Sequence, residues 1–183
     1  MSARALLPFG LGCALALGAC TDTSTPPIAT GTMADTADQT LYGIRMLLTD
    51  DGLMRAELLS DTAYFFDENT RIELRKVNMT FYATNGAKNA VLTSKRGTYN
   101  TRQSRMEALE DVVVVSEDGR RLTTPQLRFD QARNEISSDS AFALTEPGRE
   151  VRGIGFVSDP DMNNIRILRT IGGTGGAVTI PNQ

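Results

Sequence analysis

The chain has 183 residues, 40% of them apolar, with a net charge of −3 and neither Trp nor His. That is enough chain for one domain of ordinary size plus tails, and the weak negative charge excludes a binder of phosphate backbones, which needs a basic face. Without His, imidazole acid–base catalysis is closed and few good transition-metal ligands remain.

At the N-terminus Arg4 supplies one positive charge, "ALLPFGLGCALALGA" is apolar but short for a bilayer span, and Gly18 and Ala19 precede Cys20. A charged start, an apolar run and small residues at a cut site make a secretory signal. "LGAC" resembles a lipobox, in which the cysteine is acylated and becomes the first residue of the mature chain. Residues 1–19 are thus expected to be a lipoprotein signal peptide and Cys20 the lipidation site, with a plain signal or a short anchor helix as the alternative. Cys13 leaves with the signal, so the mature chain holds one modified cysteine and no internal disulfide.

Residues 20–40 carry "TDTSTPPIATGTMADTADQT", rich in Thr, Pro, Ala and Asp with little to bury, and read as a flexible tether after the acylated cysteine. From 41 to 169 the pattern changes to short alternating runs closed by turn signals: "IRMLL" then "TDDG", "AYFF" then "DENT", "VNMTFYAT" then "NGAKN", "VVVV" then "SEDGR", "FALT" then "EPGRE", and "IRIL". Period-two alternation bounded by Asn-Gly, Asp-Gly and Pro-Gly predicts antiparallel strands and hairpins, and no stretch keeps a helical period for three turns. The body is therefore expected to be all-β, of the sandwich, barrel or jelly-roll kind. Residues 170–183 return to a Gly-rich tail, whose "GGTGG" lacks the Lys and Ser/Thr of a phosphate loop.

The strands also repeat. When residues 92–115 are set over residues 122–145, Leu92 falls on Leu122, Tyr99 on Phe129, Met106 on Ile136, Val112 on Phe142 and Val114 on Leu144. In a looser upstream copy, Tyr64 and Ile72 take the places of Tyr99 and Met106 after a one-residue slip. Units that cannot bury an apolar face alone must stack, which predicts two antiparallel sheets of repeated strand units, open at both ends. "DPDMNN" begins like a calcium loop, but Asn164 stands where the turn Gly belongs and Thr170 where the bidentate Glu belongs, so it reads as a polar turn. No nucleophile, base or metal set converges; no enzyme activity, metal or cofactor is expected.

The phrases "LTSKRGTYN", "MEALEDVVVVSEDGRRLTTPQLRFD" and "NEISSDSAFALTEPGREVRGIGFVSDPDMNNIRI" resemble the LptC family of the lipopolysaccharide exporter and the OstA-like modules it shares with LptA, over residues 41–168. The resemblance implies a twisted β-jellyroll that binds lipopolysaccharide, takes it from an inner-membrane ABC transporter and passes it to an LptA-like periplasmic bridge. The expected groove lining is Val77, Met79, Phe81, Tyr99, Met106, Val112, Val114, Leu127, Phe129, Ile136, Phe142 and Leu144, the apolar positions that alternate with charged ones. The same alternation also fits a plain buried core.

Family members pair their terminal edge strands with partners, which by carry-over places Ile44 and Met46 on the first edge and Ile165 and Ile167 on the second. Relatives anchor through an uncleaved helix, whereas here acylated Cys20 stands in for it. The expected location is therefore the periplasmic side of the inner membrane, with the outer membrane as the alternative because Thr21, not Asp, follows the cysteine. The competing function is a structural envelope lipoprotein that uses its edges for protein pairing alone.

Overall fold

The computed structural model describes residues 33–174. The signal peptide, Cys20, the tether up to residue 32 and the tail from residue 175 lie outside the described residues. A four-residue helix α1 (Met33–Thr36) precedes nine strands: β1 (Gln39–Asp50), β2 (Leu53–Phe66), β3 (Arg71–Tyr82), β4 (Lys88–Asn100), β5 (Arg105–Ser116), β6 (Arg121–Asp130), β7 (Glu135–Glu146), β8 (Arg149–Ser158) and β9 (Arg166–Thr174). Every neighbour pair is antiparallel and the spatial order follows the sequence, so the nine form one unclosed sheet with β1 and β9 as its edges.

The layering arises from a crease that crosses every strand. Ladders skip or slip at Gly43 and Asp61, at Lys76 and Lys95, at Glu110, Asp111 and Pro125, at Asp139 and Ser140, and at Gly155 and Leu168. Gly43, Lys76, Glu110, Asp111 and Gly155 all have positive φ there, the backbone signature of bulges that bend a strand and sharpen its twist. An extra residue also reverses which face a side chain occupies. In β3 the buried positions are Ile72 and Leu74 before exposed Lys76, and Val77, Met79 and Phe81 after it.

The bend doubles the sheet over. Three strand spacings in a flat sheet amount to about 14 Å, yet Phe81 on β3 and Phe129 on β6 meet edge to face with ring centroids 4.9 Å apart. The halves on either side of the crease thus form two layers of one continuous sheet, rolled around a shared core. The two separate sheets expected from the sequence are these two layers.

Two boundaries differ from the sequence reading. β1 begins at Gln39, inside the expected tether, and β9 runs to Thr174, five residues past the expected end of the domain at Arg169. Gly172 and Gly173 contribute no side chain to pack, which is why they read as tail, but their backbone pairs with Arg152 and Val151. A Cβ on Gly173 would stand 2.6 Å from the Glu150 carbonyl oxygen, so the close approach requires glycine.

Candidate functional site

The interior is built from rows of side chains that cross the sheet from strand to strand. In one layer Met46, Leu58, Met79, Leu92, Val114, Leu122, Leu144 and Val151 are successive cross-strand partners from β1 to β8. In the other layer the row runs Phe65, Ile72, Tyr99, Met106, Phe129, Ile136 and Ser158. The pairing corrects the register of the looser repeat: Phe65, not Tyr64, opposes Ile72 as Tyr99 opposes Met106. Directly opposed inward residues are the units that stabilise a sheet face, and here they form two apolar walls.

All twelve expected lining residues point into this interior and are buried. Phe81 and Phe129 fill its centre; Ala56 and Ala90 flank Phe81 and leave room for its ring, whereas Phe129 sits between Met106 and Ile136. Phe142 packs against Phe156 of β8 at 5.0 Å. Phe156, fully buried, was missed because its "GIGF" setting has too few apolar neighbours to show alternation. Leu58, Leu74, Leu92 and Leu122 belong to the same core.

Buried hydroxyls mark the crease from within. Ser60 Oγ donates to the Arg75 carbonyl (2.6 Å), Ser94 Oγ to the Arg96 carbonyl (2.8 Å), Thr124 Oγ1 to the Ala141 carbonyl (3.0 Å) and Ser138 Oγ to the Gln126 carbonyl (2.7 Å). Each bonds a backbone carbonyl beside the place where the ladder slips, so the buried hydroxyl itself is satisfied. Thr124→Val keeps the shape and removes the donor, so chemical denaturation is expected to show a loss of about 1–3 kcal/mol. On the outer side, Lys76 pairs with Asp61 at 2.9 Å, Lys95 with Asp111 at 2.6 Å, and Arg128 with Asp139. Exposed pairs of this kind add little stability but keep the bend wet.

Where the β6–β7 ladder is interrupted between Thr123 and Arg128, a groove of ≈ 680 Å³ opens. Lys95, Asp111 and Pro125 rim it, and it reaches Val112 and Phe142 of the interior.

The four expected edge residues occupy the two ends of the roll. Ile44 and Met46 on β1, Ile165 just before β9 and Ile167 within it are half-buried against the core. Among the described residues β1 pairs only with β2 and β9 only with β8. Leu47 and Tyr42 on β1 and Leu168 and Ile171 on β9 are exposed large hydrophobics near these same edges.

The polar turn at Asp159 closes on itself. Asp159 accepts from the Asn164 backbone N–H (3.1 Å) and amide (2.5 Å), and Asp161 accepts from the Asn163 amide (2.7 Å). Burial opposes ionisation of Asp159, but the Asn164 donors hold its carboxyl below the ordinary value; burial and the neighbouring Asp159 push Asp161 up. Among the described residues no group of three or more His, Cys, Asp or Glu is arranged to hold a metal ion, and no helix is long and apolar enough to cross a membrane.

An unclosed antiparallel sheet doubled over an apolar interior, with both edge strands unpaired among the described residues, defines a β-rich binding or assembly module. The chain belongs to the LptC-related family of lipopolysaccharide-assembly proteins, whose model matches residues 11–174, and its role lies in lipopolysaccharide transport in the cell envelope. Among solved structures it is similar to LptH of Pseudomonas aeruginosa, the LptA homologous periplasmic component of the lipopolysaccharide transport device. That similarity has 15% identity and a TM-score of 0.49, covering 69% of this chain and 89% of that one. No curated protein matches the chain.

Proposed function

We propose that this protein is a membrane-anchored lipopolysaccharide-binding component, tethered through acylated Cys20, that takes lipid from an inner-membrane ABC transporter and passes it to an LptA-like bridge. The observation that carries the reading is the pair of largely apolar rows crossing the roll, one from β1 to β8 and the other from β2 to β8. A flexible acyl chain needs such a continuous surface, and the two layers supply one on each side of it. The thioethers of Met79 and Met106 lie in these rows, and methionine adapts its shape to irregular neighbours. The lining is Val77, Met79, Phe81, Tyr99, Met106, Val112, Val114, Leu127, Phe129, Ile136, Phe142 and Leu144. Ile44 and Met46 at one edge, and Ile165 and Ile167 at the other, face the transporter and the bridge.

The second reading, a structural lipoprotein that only pairs strands, draws on the closed packing of the interior, where Met79, Phe81 and Val114 are all 0% exposed. A photocrosslinking residue at Phe129 or Phe142, used in cells, separates the two. Capture of lipopolysaccharide from these inward positions is the expected result. Capture only from outward Arg128 would sink the binding reading.

A further inference from the structure

Opposite the crease, the free margins of the two layers meet at polar contacts, among them those of Gln131 and Arg120. Gln131, in the turn between β6 and β7, is 7% exposed. Its Nε2 donates to the Thr49 carbonyl near the end of β1 (2.5 Å), and its Oε1 accepts from the Tyr99 hydroxyl (3.3 Å). Arg120, between β5 and β6, donates to the Met162 carbonyl (2.8 Å) and to Asn163 Oδ1 (2.6 Å) in the β8–β9 connection. Neither contact belongs to a ladder, because β1 and the β6–β7 turn are far apart in the sheet order. Both therefore bridge one layer to the other.

The rest of the core between the layers is largely apolar, centred on Phe81 against Phe129. Apolar contact is non-directional, so an acyl chain can replace it with like surface. A hydrogen bond is directional and is not replaced by a hydrocarbon. Polar contacts such as those of Gln131 and Arg120 thus hold the margins in a way that an acyl chain does not reproduce.

Their partners also allow a clean release. Tyr99 and Gln131 stay bonded to each other, and Thr49 is exposed, so its carbonyl can turn to water. Arg120 keeps Asp118 at 3.0 Å and Glu146 at 3.6 Å near its own hairpin, so letting go of Met162 strands no charge. We propose that the Gln131–Thr49 and Arg120–Met162 contacts are latches that hold the open side of the roll shut, and that an acyl chain enters where they release, between the end of β1 and the β6–β7 turn. The inference rests on the reading of the interior as the lipid-binding surface.

The test uses the full chain with Gln131→Met, which keeps the volume and removes the amide, and separately Arg120→Gln. Amide hydrogen exchange without lipid reads the margins, and the rate of photocapture of purified lipopolysaccharide in detergent micelles reads entry. Loss of one such bond is expected to speed exchange around the β1–β2 and β6–β7 turns roughly tenfold in Gln131→Met, and around the β8–β9 connection in Arg120→Gln, with lipid capture rising by a similar factor. Exchange at the margins that stays at the wild-type rate in both variants overturns the latch. So does a rise spread equally through β4 and β5 in both, which marks general destabilisation. Faster exchange confined to the margins, with no capture by wild type or variants, supports the latch and removes the lipid-binding reading instead.

Discussion

Phe129→Ala is expected to lower the stability of the folded domain by about 4 kcal/mol. The ring is 1% exposed, sits between Met106 and Ile136 in its own layer, and meets Phe81 of the facing layer edge to face. Removing it deletes both the transfer energy of the ring and the aromatic contact, and leaves a cavity that two stiff sheets cannot collapse into. Urea denaturation of the variant should show a lower midpoint with an unchanged slope, since the surface exposed on unfolding is nearly the same. Arg128→Ala, one residue away on the exposed face, should change stability by no more than about 0.5 kcal/mol. A Phe129→Ala cost below about 1 kcal/mol would mean that the layers are not closed on each other in solution.

The same packing explains which parts of the architecture were legible in the sequence. Alternation is a property of a single strand, so the runs around Met79, Val114 and Phe142 announced their inward faces without any knowledge of neighbours. The repeat of Leu92, Tyr99 and Met106 in Leu122, Phe129 and Ile136 was equally plain, because each pair holds one place in the same cross-strand row. The terminal strands were read as edges, and β1 and β9 are the edges of the sheet.

What stayed hidden lies at the crease and at the margins. Lys76, Glu110 and Asp111 adopt positive φ without being the Gly or Asn that signals such a backbone, so nothing local announced the bulges. Matching Tyr64 to Tyr99 by side-chain type slips the looser copy by one residue, because it is Phe65 that holds the place of Tyr99 in the row. The hydroxyls of Ser60, Ser94, Thr124 and Ser138 are ordinary polar residues until the ladder beside them slips. Gln131 and Arg120 act on partners 82 and 42 residues away in sequence, beyond any window in which periodicity can be read. The fold was legible where it depends on neighbours in sequence, and hidden where the sheet meets itself.

The C-terminal edge offers the other large effect. Gly153→Ala is expected to detach β9 from β8, because the new Cβ would stand 2.7 Å from the Arg169 carbonyl oxygen and 2.8 Å from Phe142 Cε1. The backbone of β9 and an aromatic ring held against Phe156 must both move, an overpacking cost of about 1–3 kcal/mol concentrated on one strand pair. Hydrogen exchange should quicken in β9 and leave β3 to β6 protected. If the C-terminal edge receives the bridge protein by strand addition, a purified LptA-like partner should be captured at least about tenfold less well, since its template strand is displaced. Gly172→Ala is the matched control: it lies in the same ladder, but its Cβ would meet nothing within 4 Å. Equal loss of partner binding in both variants would trace the effect to the Gly-rich backbone itself. Loss in Gly153→Ala alone ties partner binding to the seating of β9 on β8, and retention in both removes β9 from the docking surface.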